Sequence, residues 1–528
     1  MSNIKMRKSA IGGSNPPEWV LNKFRRGLNT LVSDTRVNVE ETPRALNVNY
    51  TEDGLPTKRG GTALHRTEIG SRIRGLASYY KDDGTDYMIA AASGTLYYDN
   101  GSAWAHITCA SGATVSPNID YNFVQARDYL YAHDGQGLKR MEGTTMTAQT
   151  NGVSGDFGIY WKGRHVVAGN ESYPSRVFIS RNNDAGHFIT TGTDTSAEWF
   201  DVQPSDGDKV KSVATFYDNL VIFKERSIHK AVPSNSTGDF VSSVQLINND
   251  IGCVAHRTVD TVDNDVFFLS RKGVYVLGNE PNFFDTIRTN EVSARVHPEI
   301  EGITPANFGL TSAMYHNYKY YMAYPFGGTT YNNRVLVYDT RYGAWSLHTG
   351  YNPNCFNTFI DSTGTEALYC GDDNAGKVLK MESGTADSGS SINSNFYSPN
   401  IDLEAPDIKK FFMDATIQTR NTQASLDVDV YIDGEVYKSA TFNIGTTGSS
   451  SGLGTKVLAE DYLALSGGST ITTEVTSNIL KRFRLKHRGK NIQIKVSNDS
   501  TTDSWTLMSL RGSYRPLSHF VFDSDDKI

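Results

Sequence analysis

The chain has 528 residues, 38% of them hydrophobic and 21% charged, with a formal net charge of −7. That length exceeds one ordinary core and implies two or three domains or a repeat array. The mild acidity excludes a dedicated duplex-binding protein of the usual basic kind.

Tyr, Phe and Gly are plentiful, at 28, 24 and 47 residues, as many short strands and tight turns require. Cys109, Cys253, Cys355 and Cys370 are widely spread and form no Cys-x-x-Cys pair, so neither a structural zinc site nor a disulfide framework is expected. Cys355 and Cys370 could face each other across a hairpin, with two buried free thiols the favoured state. Lys5, Arg7 and Lys8 precede no apolar core of a signal peptide. No run reaches the roughly 18 apolar residues of a membrane span. A soluble chain made in a reducing cytoplasm is the expectation.

Residues 1–26 are polar, broken by Gly12-Gly13 and Pro16-Pro17, and read as an extended arm with a small basic cluster at Lys23, Arg25 and Arg26. Asp53-Gly54 then marks a hairpin between two strands. Over residues 27–385, about seven strand clusters recur at a spacing of roughly 40 residues, the period of β-propeller blades. They begin with Ile73 to Ile107, Tyr121 to Thr147, Gly158 to Ser180 and Val210 to Ala231. Asp265 to Leu277, Ser312 to His348 and Phe356 to Met381 complete the set. The strand near Thr57 to His65 is placed to complete the last blade and lock the ring, with a stacked β-sandwich as the structural alternative.

Two hairpins look like copies of one unit. Tyr338-Asp339, a turn, then Ala344-Trp345 repeats the order of Tyr98-Asp99, a Gly-containing turn, then Ala103-Trp104. Asp339 reads as a turn former and Trp345 as packing between blades.

Residues 386–395 are Ser/Asn-rich and read as a linker. A second all-β unit follows over 396–516. Its strands lie near 411–419, 426–432, 437–442, 483–487, 492–497 and 505–514, and strict alternation at 426–432 marks a half-buried antiparallel strand. A β-sandwich or jelly roll fits, with 445–454 as a long loop and 517–528 as a flexible tail.

No catalytic fingerprint is present: no Gly-x-Ser-x-Gly, P-loop, His-Glu-x-x-His or dinucleotide motif. Gly452 to Lys456 matches a phosphate loop only superficially, lacking a following helix. Ser180 to Phe188 loosely resembles the Asp-box turn of sialidase-type propellers, which marks architecture rather than hydrolysis. The twelve histidines show no metal-ligand spacing. No catalytic, cofactor-binding or metal-binding residue is therefore assigned, and no cofactor is expected. The run Lys481 to Lys490 alternates cations with Phe483 and Leu485, which places charge on the open side of a strand. An acidic neighbour or DNA backbone would suit it, and charge protection of an edge strand is the plain alternative.

Several segments resemble the tail nozzle (tail hub, or packaged-DNA stabilisation) proteins of short-tailed bacteriophages. They are Gly27 to Thr30 with Thr35 to Val37, Ala45 to Asn49 with Asp53 to Gly60, Asn264 to Tyr275, the hairpin 333–348, Asp402 to Phe411, and Arg488 to Ile494. The resemblance implies a non-enzymatic structural virion protein in the phage tail, assembled in the host cytoplasm as a homohexameric ring. Such a ring would conduct DNA without sequence specificity, contact adaptor, portal and fibre or needle proteins, and retain the genome until ejection. A mildly acidic subunit suits a conduit in which DNA slides without sticking. A host-glycan adhesin, with Tyr431, Tyr437 and Trp505 as stacking candidates, is the alternative, and a propeller glycosidase a more distant one.

Overall fold

The computed structural model describes residues 16–517 apart from 111, 191–195, 235–239, 281–282, 361–363, 421–423 and 445–478. The arm before residue 16, the Gly452 to Lys456 match, most of the 445–454 loop and the tail beyond Leu517 lie outside the described residues.

The chain is all-β, and its larger part is a β-propeller of seven blades. Each blade has four antiparallel strands, starting with Ile73–Tyr80, Asn122–Ala126, Phe157–Trp161, Val210–Phe216, Asp260–Val262, Ser312–His316 and Pro353–Ile360, and Thr108–Ala110 adds a parallel fifth to the second blade. These first strands pack around the axis in chain order, and the last meets the first. Blade 7 takes only three strands from residues 353–380. Its fourth is Ala63–Leu64, which pairs with Val378–Lys380 through Leu64 opposite Leu379. The ring is thus closed by the end of the segment expected to lock it, Ala63–Leu64, whereas its Thr57 start pairs in a sheet of the second β unit.

Two-residue turns join the first two strands of blades 2 to 6. Arg127, Lys162, Tyr217, Asp263 and Asn317 hold φ between 47° and 57° there. Left-handed backbone at that position matches the right-handed twist of the flanking strands. Apolar side chains from facing blades then interdigitate: Ile73, Leu76 and Met88 meet Tyr369 and Val378 between blades 1 and 7. Phe223 meets Phe268 between blades 4 and 5, with ring centroids 4.9 Å apart.

The two hairpin copies share architecture but not register. Trp345 lies opposite Tyr338, whereas Trp104 lies opposite Asp99. Both tryptophans face the preceding blade: Trp104 joins the core between blades 7 and 1, and Trp345 donates its indole N–H to the Val292 carbonyl at the end of blade 5, at 2.8 Å. The one-residue offset sends the aspartates to opposite faces. Asp339 accepts from the Arg341 backbone N–H, as a turn former should, while Asp99 turns back to His65 and Arg66 beside the closing strand.

The N-terminal segment departs from the expected division at residues 26 and 27. Glu18–Leu21 is no free arm but pairs along Thr506–Pro516 of the C-terminal unit. Val48–Tyr50 and Pro56–Lys58 form the hairpin foreseen at Asp53-Gly54, yet they extend a sandwich sheet, ordered Ile479–Gly489, Lys410–Arg420, Thr506–Pro516, Pro56–Lys58, Val48–Tyr50. The second sheet contains Ser394–Tyr397, Ile492–Asn498, Ala424–Ile432 and Glu435–Ile444. Ala45–Leu46 bridges it to the propeller, bonded to Ser394–Tyr397 on one side and to Ala344–His348 of blade 6 on the other. Gly27 lies against Trp345 with φ +70°, and a Cβ there would come within 2.7 Å of the Trp345 backbone. Only glycine permits that approach.

The expected linker is docked as well. Asp387 receives two hydrogen bonds from Arg59, at 2.9 and 2.5 Å, and Arg59 also donates to Asn47 Oδ1 and to the Gly60 and Thr349 carbonyls. Its guanidinium lies 4.8 Å from the Tyr351 ring centroid. One apolar cluster runs unbroken from Phe267 and Tyr320 through Leu28 and Val48 to Trp505 and Phe412, so propeller and sandwich share a core.

Two outcomes follow from this packing. Trp345 is 1% exposed, and Trp345→Ala should cost about 3–5 kcal/mol in chemical denaturation; an unchanged midpoint would contradict its packing role. Asp387→Asn strips the counter-charge from an enclosed guanidinium, with an expected loss of about 3–5 kcal/mol. Loss of less than about 1 kcal/mol would show that the junction does not depend on this pair.

Candidate functional site

The densest polar cluster surrounds one end of the propeller channel. Its members sit beside the starts of inner strands: Arg72 and Arg74 flank Ile73, Asp120 precedes Tyr121, Arg257 lies in the 3-10 turn His256–Thr258, and Asn354 follows Pro353. Asp373 adds the turn after the second strand of blade 7. Because first strands converge on the axis, residues remote in sequence meet there.

Both carboxylates in this cluster stand against arginines, although Asp373 Oδ1 is buried without a hydrogen-bond partner. Asp120 Oδ1 lies 3.4 Å from Arg74 Nη1 and accepts from Asn354 Nδ2 at 3.1 Å. Its Oδ2 lies 3.4 Å from Arg257 Nη2 and 3.5 Å from Arg72 Nη2. Asp373 Oδ1 meets Arg72 Nε at 2.7 Å, and its Oδ2 accepts the Asn332 backbone N–H at 2.8 Å. Arg72 and Arg257 both donate to Asn354 Oδ1, at 2.8 and 3.1 Å.

Burial alone would raise the Asp120 carboxyl, but Arg257, Arg72, the Asn354 amide and Arg74 outweigh it and hold it below the usual range. Asp373 is pushed up by burial, which its Asn332 and Arg72 contacts only partly offset. Acidities driven apart are the pattern of an acid–base pair. Here, however, the Arg72 guanidinium contacts both carboxylates and pairs them through charge. The arrangement ties blades 1, 2 and 7 and the segment before blade 5 across the axis, as an ionic plug.

Below the plug lies a cavity of about 360 Å³ lined by Ser78, Asn122, Gln125, Asp260, Ser312 and Asn357, among others. Burial raises the Asp260 carboxyl to about 6, against hydrogen bonds from the Tyr315 and Thr261 backbone. Ser312 Oγ and Thr311 Oγ1 are buried without a hydrogen-bond partner in the structure.

Residues singled out by sequence fall as follows. Trp505 is wholly buried and donates to Ser394 Oγ at 2.8 Å, which removes it as a sugar platform. Tyr431 is half-buried against Tyr397, and Tyr437 lies on His487 with its hydroxyl on the Leu485 carbonyl. The Asp-box-like stretch forms a turn in blade 3, with Asp184 capped against Gly186. All four cysteines are free; Cys355 and Cys370 are buried on adjacent strands, with the Cys355 thiol pushed up to about 12 by burial.

His133 and His165 meet Nε2 to Nε2 at 3.0 Å, and burial drives both well down, His165 to about 4. No group of three or more metal-ligating side chains occurs among the described residues. The basic run alternates as foreseen, with Phe483 and Leu485 buried and Arg482, Arg484, Lys486 and Arg488 exposed. The channel cluster itself escaped sequence reasoning; its one signal was polar residues recurring beside the first apolar residue of an inner strand.

No family model and no curated protein matches the chain. Among solved structures it is similar to the extracellular domain of a one-component system of B. thetaiotaomicron, at 10% identity and a TM-score of 0.39. That match covers 80% of this chain but only 51% of the other, so the chain spans about half its length. The N-terminal domain of Nup159 matches at 9% identity and TM-score 0.38 over 64% of this chain and 98% of its own. PorZ of Porphyromonas gingivalis matches at 10% and 0.40, over 72% and 55% respectively. Likenesses this weak carry no functional argument.

Asp260 makes a pH prediction. Its folded pKa lies above its unfolded value, so its burial costs nothing below about pH 4, and the penalty grows from there until pH passes about 6. Relative to Asp260→Asn, the wild type should lose up to about 3 kcal/mol between pH 4 and 7.5. A stability difference flat across that range would refute it.

Proposed function

We propose that the chain is a structural virion protein, the subunit of a ring-shaped tail nozzle that conducts and retains phage DNA. The observation that carries this reading is where the nozzle-like residues lie. Ala45 to Asn49 and Asp53 to Gly60, two of the segments that carry the resemblance, lie at the seam between propeller and sandwich. Lys58 is enclosed there, donating to Asn498 Oδ1 and to the Ser500 and Asp503 carbonyls at 2.6–3.0 Å. A stretch with that task suits a wall element, which must transmit load without internal hinge motion. The plugged channel supports placing any DNA path between subunits rather than along the propeller axis. Each subunit would then use two different faces, as heterologous ring contacts demand.

The adhesin reading loses its tryptophan to the core. A glycosidase would need a working pair of carboxylates, and Asp120 and Asp373 are both paired with arginines.

Native mass measurement with negative-stain imaging tests the proposal. A closed ring with a central hole is expected, sixfold if the resemblance holds in full. A monomer at every concentration tried would overturn it.

A further inference from the structure

The outer face of the first sandwich sheet carries cations in register. Residues directly opposite one another across a sheet share a face. Thr416 lies opposite both Arg482 and Arg511, and Phe411 opposite both Arg488 and Arg515. Arg484 occupies the row between, opposite Asp414, and Lys486 is exposed at the bulge that separates these rows. Strand geometry sets guanidinium groups of one row roughly 10 Å apart and in-phase positions along a strand roughly 7 Å apart. Against these cations the face holds the carboxylates of Asp414 and, beyond Ser513, Glu18.

Edge protection does not account for this. That device favours lysine and acts on the outermost strand. Arg482, Arg484, Lys486 and Arg488 do lie on the outermost strand, Ile479–Gly489, but arginine predominates, and Arg511 and Arg515 continue the rows onto Thr506–Pro516, which has strands on both sides. Nor is the charge settled internally. Within the set, among the described residues, only Arg482 has a carboxylate partner, Asp414; Arg511 donates to Gln418 and Ser509. Several exposed cations on the propeller are paired singly with carboxylates, Lys162 with Asp218, Arg271 with Glu225 and Lys272 with Asp250, although Lys209 and Arg226 are exposed without such a partner among the described residues. Unpaired like charges held in rows repel, and a regularly spaced external anion relieves that. The planar guanidinium fork matches phosphate in particular. Phe411 lies within one row but is only partly exposed, and Tyr437 is already packed on His487, so the face offers charge more than a platform for base stacking.

We infer that this face binds the sugar-phosphate backbone of nucleic acid without reading its sequence. The inference rests on the conduit reading only for which DNA is held; the contact itself stands on the sheet. A local grip of this kind holds DNA inside an otherwise acidic assembly, and it weakens steeply with salt.

The test is fluorescence anisotropy of the full-length protein with a labelled duplex of about 30 base pairs and random sequence, from about 50 to 200 mM salt. If about five phosphates are engaged, log K should fall against log salt with a slope near −4 to −5. Arg488→Glu with Arg515→Glu should weaken binding at least tenfold and flatten the slope by about 2. Lys162→Glu on a propeller turn should leave it unaltered. Arg488→Gln with Arg515→Gln, at about half the effect, serves if the reversed pair fails to match the wild-type melting curve.

Absence of binding by the wild type, salt-insensitive binding, or binding unchanged by either pair would overturn the inference. So would loss of the ring in the reversed variant with DNA binding intact, which would make the face a subunit contact. Native mass on the same samples separates the two readings. A ring that ignores DNA sinks the grip and spares the conduit; a monomer that binds DNA through this face does the reverse.

Discussion

An enclosed ion pair, Arg59 with Asp387, anchors the junction at which a shared core and a bridging strand join the parts of this molecule. Arg59 is brought in by the turn after the Pro56–Lys58 strand, and Asp387 by the segment that leaves blade 7 for the sandwich. Burying such charges is costly unless nearly every donor is satisfied. Here Asn47, Gly60, Thr349 and the bidentate carboxylate take up the guanidinium, and the Tyr351 ring covers it. The same geometry fixes where Gly60 and Gly61 pass, because a Cβ at either would collide with Glu382 or Ala386. Closure of blade 7 by Ala63–Leu64 follows directly from that anchoring. The ring lock and the interdomain seam are therefore one device.

Charge is distributed on a consistent plan. Buried cations are held by oxygens supplied from the backbone or from short loops: Lys224 by the Val202 and Gln203 carbonyls and Asp206, Lys139 by Asp134 and the Gly137 carbonyl, Lys58 by the strand end near Ser500. Each ties one strand to the next loop, so cations act as rivets within and between blades. The channel cluster does this at larger scale, with Asp120 as the hub. Against this settled interior, the outer face of the sandwich is the place where arginines stand in rows without counter-charges. A chain of net charge −7 that concentrates unpaired arginine on one sheet has segregated its charge rather than diluted it.

Legibility tracked the range of the signal. Blade strands such as Asn219–Lys224 and Asp265–Ser270 announce themselves through β-branched and aromatic runs bounded by turn residues, and the 40-residue period did the rest. The basic strand was equally readable, because alternation alone sorts Phe483 and Leu485 from Arg482 and Arg484. The channel cluster was not, since Arg72, Asp120, Arg257 and Asp373 belong to separate loops and no spacing relates them. The hairpin copies misled in one respect: equal wording at 98–104 and 338–345 concealed a one-residue offset, which turns Asp99 and Asp339 to opposite faces.

The sequence by itself determined the all-β class, a repeat of about seven blades, and the existence of a second β unit, because each rests on local pattern. Only tertiary structure decided that Glu18–Leu21, Val48–Tyr50 and Pro56–Lys58 belong to that second unit. Strands of two to four residues bury too few side chains to leave a period, and the partners of Glu18–Leu21 lie at Leu510 to Ser513, near the opposite end of the described chain. Their pairing is chosen by the edges that the rest of the fold leaves open, and that information resides in no window of sequence.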